Sequence, residues 1–195
     1  MRVKICGITS YEDAMTAIDA GADALGFVFY PDSPRYISPE AAAGIIRRLP
    51  PFVEKVGLFV NTEADAVNAA AKQSGITLAQ IHFEAPAALF EALECPSVRV
   101  VRAQKREDVT AYADEYRLVD AYCDAYGGMG KRLNLAWFDG VDCSRIILAG
   151  GLTPDNVAEC LSYGFYALDV SSGVERAKGK KDPDKVRAFL SKAKG

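Results

Sequence analysis

Proton-transferring side chains end two short apolar runs of this 195-residue chain. Cys6 ends the run VKIC near the start of the chain, and Asp120 ends the run RLVD. A thiol and a carboxyl group can each take up or release a proton, so both residues are candidates for acid and base catalysis. A cysteine at the end of an apolar run is more commonly a small buried residue, and this is the competing interpretation of Cys6.

The cysteines do not follow the pattern of a disulfide framework or a zinc site. The chain has one histidine, His82, and five dispersed cysteines: Cys6, Cys95, Cys123, Cys143 and Cys160. No CxxC pair is present, and an odd number of dispersed cysteines argues against both a disulfide framework and a Cys/His zinc site. We therefore expect free thiols, no bound metal and a reducing, cytoplasmic environment.

Composition excludes several classes of partner. The formal net charge is −3, so no overall positive field favours nucleic acid or an anionic membrane. No apolar run approaches the roughly 20 residues that span a bilayer, and the segment MRVKICGIT lacks the apolar region of a signal peptide. We expect neither a nucleic-acid nor a membrane partner.

Strand-like and helix-like segments alternate along the whole chain. The helix-like stretches include 10–21, 38–50, 153–164 and 182–194, the second and third of which begin with a capping residue followed by proline. The eight candidate strands are 3–6, 24–30, 55–61, 79–83, 98–103, 117–122, 145–150 and 167–172. This alternation predicts a parallel sheet.

The number of strands favours a closed (β/α)₈ barrel formed by a single domain, residues 1–195. A doubly wound open sheet is the alternative, but no glycine-rich first turn supports it. Each repeating unit has only about 24 residues, slightly fewer than usual for this barrel, so we expect some connecting helices to be short or irregular. The stretch after the sixth strand has the weakest helical pattern.

Active sites of such barrels lie at the carboxyl ends of the strands. Reading those ends alone gives Cys6, Asn61, His82, Asp120 and two small turns. The turns follow the last two strands and contain Gly150, Gly151, Ser171, Ser172 and Gly173. Exposed backbone N–H groups at these positions commonly bind phosphate, so we predict a phosphate site there.

Several motifs, in this order, resemble those of the phosphoribosylanthranilate isomerase family along nearly the whole chain. The most specific combination is KICGIT, YGGMGK and DVSSGVE. It is accompanied by GADALGFVFYPDSPRYIS, GLFVN, QIH, LVDA and AGGL. No single motif would identify the family, but the combination is highly specific.

This resemblance implies a (β/α)₈ barrel and an enzyme of tryptophan biosynthesis. The family converts N-(5-phosphoribosyl)anthranilate into 1-(2-carboxyphenylamino)-1-deoxyribulose 5-phosphate, an aldose–ketose Amadori rearrangement without metal or organic cofactor. It implies that Cys6 is the base and Asp120 the acid. A free thiol is mostly protonated at pH 7, so a base at Cys6 needs a positive neighbour.

Lys4 lies on the same face of the first strand as Cys6, since side chains of a strand alternate. A lysine inside a barrel needs an anion, and Asp169 lies on the strand that neighbours the first when the barrel closes. We therefore predict a buried Lys4–Asp169 pair beneath the site. Asp120 must keep its proton near neutral pH, so we expect a poorly solvated environment that raises its pKa.

Arg35 is the candidate for the anthranilate carboxylate, because a guanidinium can bind a carboxylate through two hydrogen bonds. A surface arginine in a loop is the alternative. Gly127 and Gly128 precede Lys131 in YGGMGK, whose spacing does not fit a P-loop. We predict instead a mobile loop that covers the substrate and excludes water.

Two places depart from the family pattern. Phe83 follows QIH where the family usually has glycine, and it could narrow the anthranilate pocket or stack on the ring. After GGMGK the chain continues RLNLAW instead of Phe-Asp-Trp, so the sixth helix could start or pack differently.

Two other functions remain open from the residues alone. One is another phosphosugar isomerase or epimerase on the same barrel. The other is a phospho-ligand sensor without catalysis, which would need neither Cys6 nor Asp120. In each case the partner is a small phosphosugar, and the chain is a monomer or a homodimer.

Overall fold

Eight parallel strands form a closed barrel in the computed structural model, which describes residues 1–121 and 132–195. The strands are β1 (Arg2–Cys6), β2 (Ala24–Val28), β3 (Glu54–Phe59), β4 (Leu78–Ile81), β5 (Ser97–Ala103), β6 (Arg117–Ala121), β7 (Ile146–Leu148) and β8 (Ala167–Val170). Strand β1 pairs with both β2 and β8, so the sheet has no free edge. The predicted barrel is confirmed, and the open-sheet alternative is wrong.

The α-helices of the described residues are α1 (Tyr11–Asp19), α2 (Pro39–Ile46), α3 (Ala64–Ser74), α4 (Ala87–Glu91) and α5 (Pro183–Lys194). Short 3₁₀-helices cover Arg106–Thr110, Leu135–Phe138, Val157–Tyr163 and Ser172–Val174. Each of α1 and α2 starts at a serine whose hydroxyl accepts a backbone hydrogen bond from the first turn. Short and irregular connections were expected from the chain length and are confirmed.

The predicted helix over 153–164 is only partly correct. A 3₁₀-helix, Val157–Tyr163, takes its place, although it does end at Gly164 with a φ of 72°. The Asn156 side chain accepts from the N–H of Thr153 and donates to the carbonyl of Gly151. These bonds tie residues 153–156 to the loop after β7, so the expected first helical turn does not form.

Apolar side chains fill the layer between the barrel and its helices, among them Ile5, Phe27, Phe59 and Phe189. A smaller cluster of Val100, Leu118 and Ala149 packs separately from this layer. A cavity of about 570 Å³ opens at the amino ends of the strands. The barrel interior is therefore incompletely filled at its amino end, which is opposite the end that carries the predicted site.

A two-stranded antiparallel hairpin follows β8 beyond the carboxyl ends of the barrel strands. Its strands are β9 (Glu175–Ala177) and β10 (Lys180–Lys181). The carbonyl of Gly179 in its turn accepts a hydrogen bond of 2.6 Å from the hydroxyl of Thr9, in the loop after β1. The hairpin is thereby fixed against the end of the barrel that carries the predicted site.

Across the two described ranges, no helix combines the length and apolar character that crossing a membrane requires.

Candidate active site

Cys6 is the last residue of β1, and its side chain is buried. The neighbouring strand provides the space for it through Gly26, which lies opposite Cys6 in the register of β1 and β2. A Cβ atom at Gly26 would lie 2.8 Å from the Cys6 Sγ and 3.0 Å from the Lys4 Cε. Any larger residue at this position would displace the thiol.

Lys4 forms the predicted ion pair with Asp169. Its Nζ donates hydrogen bonds of 3.0 Å to both carboxylate oxygens, and both side chains are buried. Burial alone would lower the pKa of Lys4, but the Asp169 carboxylate and, to a lesser extent, Cys6 together offset it, and the pKa lies above its usual value. Lys4 is therefore a stable positive charge two residues before Cys6, as predicted.

The pKa of Cys6 is nevertheless raised. Burial is the main cause, and Lys4 acts in the opposite direction while Asp169 adds to the increase. The positive neighbour that the sequence required is present, but burial outweighs it. The resting thiol is therefore protonated, and its thiolate is stabilised chiefly by Lys4 when it forms.

Asp120 lies near the end of β6, where the N–H of Ala121 donates a 2.8 Å hydrogen bond to Oδ1. Burial, with a further contribution from the charge of Asp169, raises the pKa of Asp120 to about 7. The sequence-based expectation of a raised pKa is confirmed. A Cβ at Gly150 would lie 2.8 Å from Oδ1, so this glycine leaves the space that the carboxyl group occupies.

His82 is a buried neighbour of the carboxyl group. Its Nε2 lies 3.6 Å from Asp120 Oδ2, which is too long for a hydrogen bond. Burial, together with the charges of Arg102 and Lys4, lowers the pKa of His82 to about 3, so the ring is neutral. Its Nδ1 lies 3.3 Å from the Gln80 Nε2, so the ring takes part in a buried hydrogen bond.

The two predicted phosphate turns lie against each other. Gly173 packs so closely on the carbonyl of Leu152 that a side chain could not be accommodated. Gly150 and Gly151 have φ angles of 92° and 64°, which favour glycine. Ser171 donates a 3.1 Å hydrogen bond from its hydroxyl to the Cys6 carbonyl, so the β8 turn also contacts the end of β1. Ser172 begins the short 3₁₀-helix Ser172–Val174.

Arg35 is buried in an ion cluster, rather than lying on the surface. Its Nε and Nη2 donate hydrogen bonds of 2.8 and 2.7 Å to the two carboxylate oxygens of Glu175. Lys181 donates a further hydrogen bond to Glu175, at 3.0 Å. Sequence reasoning missed Glu175 and Lys181. The position of Glu175 at the end of DVSSGVE was the available signal, whereas Lys181 had none.

Phe83 lines a cavity of about 670 Å³ together with Asn61 and Arg102, all near the carboxyl ends of β3 to β5. Its proposed stacking on an aromatic substrate stays a prediction. Arg132, the first residue of the segment that departs from the family pattern, pairs with Glu159 at 2.7 Å. Gly127, Gly128 and the predicted loop over the substrate lie outside the described residues.

The other described cysteines have no place in this site. Cys143 and Cys160 are buried, and Cys95 is half-buried; these three and Cys6 are free thiols. Within residues 1–121 and 132–195, no group of three His, Cys, Asp or Glu side chains could hold a metal ion.

Comparison with known proteins agrees with the geometry. Residues 3–192 match the family model of N-(5'-phosphoribosyl)anthranilate (PRA) isomerase. An N-(5'-phosphoribosyl)anthranilate isomerase of a Sulfurovum species is 63% identical over 194 residues, with 100% of this chain and 99% of that protein covered. One from a Nitratiruptor species is 58% identical at the same coverage.

Solved structures give the same result. The phosphoribosyl anthranilate isomerase of Thermotoga maritima superimposes with a TM-score of 0.93 at 40% identity, covering 100% of this chain and 99% of that one. Another structure of such an isomerase, in complex with reduced 1-(o-carboxyphenylamino)-1-deoxyribulose 5-phosphate, gives 0.86 at 39% identity, with 100% and 99% covered. The chain belongs to the N-(5'-phosphoribosyl)anthranilate isomerase family.

Proposed function

We propose that this chain isomerises N-(5'-phosphoribosyl)anthranilate to 1-(2-carboxyphenylamino)-1-deoxyribulose 5-phosphate in tryptophan biosynthesis, with Cys6 as base and Asp120 as acid. One observation carries the assignment of roles. A buried thiol and a carboxyl group of raised pKa stand at the carboxyl ends of β1 and β6, and the pKa of each is affected by the same Lys4–Asp169 pair. The reaction needs one acid and one base of this kind.

Asp120 acts first. Its carboxyl group donates a proton to the ring oxygen of the ribose, the C1'–O bond breaks and the lone pair of the aryl nitrogen forms the open-chain protonated imine, while Asp120 is left as the carboxylate. A carboxyl group with a pKa of about 7 keeps enough proton at neutral pH for this step, whereas an ordinary aspartate would not.

Cys6 acts second. Its thiolate takes the proton from C2', and the electron pair of the C–H bond moves toward the imine nitrogen to give an enaminol. Tautomerisation of the enaminol then places a proton on C1' and forms the C2' ketone. The reaction needs Cys6 ionised and Asp120 protonated at the same time. Because the pKa of Cys6 is raised, only a minor fraction of the molecules is in this state at neutral pH. Lys4 stabilises the thiolate in that fraction.

The remaining substrate groups are two anions. We assign the phosphate to the turns that contain Gly150, Gly151, Ser171, Ser172 and Gly173. We assign the anthranilate carboxylate to Arg35. The close packing of Gly173 on Leu152 and the position of Arg35 beside the loop after β1 support these assignments. Gly127 and Gly128 keep their proposed place in a loop over the substrate, on the sequence alone.

The alternatives differ in what they require of these residues. A phospho-ligand sensor needs the phosphate turns but neither a buried thiol nor a carboxyl group of raised pKa. Another phosphosugar isomerase needs acid and base but no arginine for an aryl carboxylate. The presence of all three features favours the phosphoribosylanthranilate reaction.

The decay of phosphoribosylanthranilate fluorescence tests the proposal. We expect the wild type to be active, and Cys6→Ala and Asp120→Asn each to lose about 10²–10⁴-fold in turnover with little change in binding. Cys160→Ala, a buried cysteine away from the site, is the matched control. An inactive wild type would favour the sensor, and full activity of Cys6→Ala would reject the base.

We further propose that two copies associate through the amino ends of their barrels. Phe52, between α2 and β3, is fully exposed with a φ of 65° and stands at the rim of the 570 Å³ cavity. A protruding ring and a cavity on one face are self-complementary under a twofold axis. The isomerase of Thermotoga maritima is described as dimeric.

Two further assignments belong to this proposal. Residues 1–195 form one barrel domain, which is supported by the pairing of β1 with β8 and the contact of α1 with α5. The enzyme acts in the cytoplasm, and the four free thiols of the described residues are compatible with that reducing compartment.

A further inference from the structure

The β9–β10 hairpin contributes a buried carboxylate to the arginine of another loop. Glu175 starts the hairpin and lies 140 residues from Arg35 in the chain, yet both side chains are almost fully buried in contact with each other. Bidentate pairs of this type are stronger and more strictly oriented than single hydrogen bonds. The orientation of the Arg35 guanidinium is therefore set by Glu175.

The guanidinium of Arg35 has two edges that can each bind a carboxylate. Glu175 occupies the side edge, formed by Nε and Nη2. A guanidinium carries five N–H donors, so the terminal edge of Nη1 and Nη2 keeps one N–H on each nitrogen for a second carboxylate. The pair with Glu175 does not compete with a substrate carboxylate, but it fixes the direction from which that carboxylate must approach.

Glu175 is itself held from two sides. The Lys181 Nζ donates a hydrogen bond of 3.0 Å to Oε1, and the Lys185 Nζ donates one of 2.9 Å to the backbone carbonyl of Glu175. Burial alone would raise the pKa of Glu175, but the hydrogen bond from Arg35 and the charge of Lys181 more than offset it. Glu175 is therefore ionised, and it holds the Arg35 guanidinium as a buried carboxylate.

The terminal edge of Arg35 can bind one substrate carboxylate through two further hydrogen bonds. The cluster is also connected to the rest of the site, because Lys181 donates a 3.2 Å hydrogen bond to the carbonyl of Ser171. The hydroxyl of Ser171 in turn bonds to the carbonyl of Cys6.

We propose that Glu175, held by Lys181, is a positioning residue that aims the terminal edge of Arg35 at the carboxylate of the aryl amine and thereby sets selectivity for carboxylated substrates. This inference rests on the proposed function, since it assigns a specificity determinant to the same site. Glu175 acts through Arg35 and takes no part in proton transfer, so it governs binding of the aryl group rather than the chemical steps.

Two ligands that differ by one group separate this role from a general structural one. The first is reduced 1-(o-carboxyphenylamino)-1-deoxyribulose 5-phosphate, and the second is the same compound without its carboxyl group. We expect Glu175→Gln to weaken binding of the first by about tenfold or more and to leave binding of the second nearly unchanged. In turnover, KM for phosphoribosylanthranilate should rise while kcat is largely kept.

Glu115→Gln is the matched control, because Glu115 also pairs with an arginine, Arg99, at 3.5 Å. Its side chain is half exposed, and it precedes β6 at the other end of the barrel. It should leave both affinities unchanged. Should Glu175→Gln not fold, Glu175→Asp keeps the charge but is one methylene too short to reach both nitrogens of Arg35, and the same carboxylate-selective loss is expected.

Equal losses for both ligands would overturn the proposal, since Glu175 would then support the site as a whole. Unchanged binding of the carboxylated ligand would overturn it as well. Failure of the wild type to bind either ligand would instead reject the proposed function itself, and this outcome is distinct from the other two.

Discussion

The Lys4 Nζ lies 3.0 Å from both carboxylate oxygens of Asp169, inside the barrel and two residues before Cys6. The register of β1 and β8 places these two residues directly opposite each other, although 165 residues separate them in the chain. Because this pair influences the pKa of both Cys6 and Asp120, it couples the proposed base to the proposed acid.

Replacing Lys4 tests this coupling. In Lys4→Met the Asp169 carboxylate is left buried without its partner, which should lower the free energy of unfolding by about 3–5 kcal/mol. The thiolate of Cys6 also loses its main stabilising charge, so alkylation of Cys6 by iodoacetamide should slow at a given pH. Denaturant unfolding and the alkylation rate measure the two effects.

Lys194→Met is the control for that variant, since Lys194 pairs with Asp23 at 2.7 Å but both side chains are a third or more exposed. This variant should lower the free energy of unfolding by no more than about 1 kcal/mol and leave the alkylation rate of Cys6 unchanged. An unchanged alkylation rate in Lys4→Met would show that Lys4 does not act on the thiol.

The pH dependence of kcat/KM should show a plateau. Activity requires Asp120 protonated and Cys6 ionised, while the pKa of Asp120 is about 7 and that of Cys6 lies above the ordinary thiol value. Activity therefore rises to about pH 7, stays level and falls above the pKa of Cys6, so the lower inflection belongs to the acid.

The residual activity of Asp120→Asn tests that assignment. Without the titration of Asp120, kcat/KM should rise past pH 7 until Cys6 is fully ionised, and the inflection at about 7 should disappear. Persistence of the inflection in this variant would assign it to another group.

The stability of Asp120→Asn should depend on pH in a specific direction. In the wild type the folded state holds the Asp120 proton up to about pH 7, whereas the unfolded chain releases it near 3.8. The wild type therefore loses stability, on the order of a few kcal/mol, as pH rises through this window. Asparagine does not titrate, so this loss is absent from the variant. The free energy of unfolding of the variant relative to that of the wild type should therefore increase from pH 4 to pH 7, as measured by urea unfolding.

The contact between the two proposed phosphate turns predicts how a single added methyl group would affect binding. In Gly173→Ala the new Cβ would collide with the carbonyl of Leu152 and separate the two turns. We expect KM to rise and affinity for inorganic phosphate to fall by about tenfold or more. Gly44→Ala, where a Cβ meets open space in α2, should leave both unchanged.

Phe52 tests the proposed dimer. Phe52→Asp removes the exposed ring and should convert the dimer to a monomer, with turnover of the active site retained, because the residue lies at the opposite end of the barrel from Cys6. Sedimentation at several concentrations measures the change. Tyr112→Asp, another exposed aromatic residue, should leave the dimer intact, and a monomeric wild type would reject the interface.

The local sequence pattern determined much of the fold and of the candidate site. Alternation along β1 placed Lys4 and Cys6 on one face, because the side chains of a strand point in turn to opposite sides. The serine cap Ser38 and the following Pro39 marked the start of α2, since the unpaired N–H groups there need an acceptor. The motifs around Cys6, Asp120 and the two terminal turns likewise identified the family and the candidate site.

Tertiary structure alone decided the contacts between distant segments. The pairing of Arg35 with Glu175, the packing of Gly173 on Leu152 and the shortened helix after β7 all depend on loops meeting in space. The raised pKa of Asp120 has the same origin, because it follows from burial and from the charge of Asp169 on another strand. Sequence decides which groups are available, but a pKa or an oriented guanidinium depends on the field and the contacts that only the closed barrel assembles.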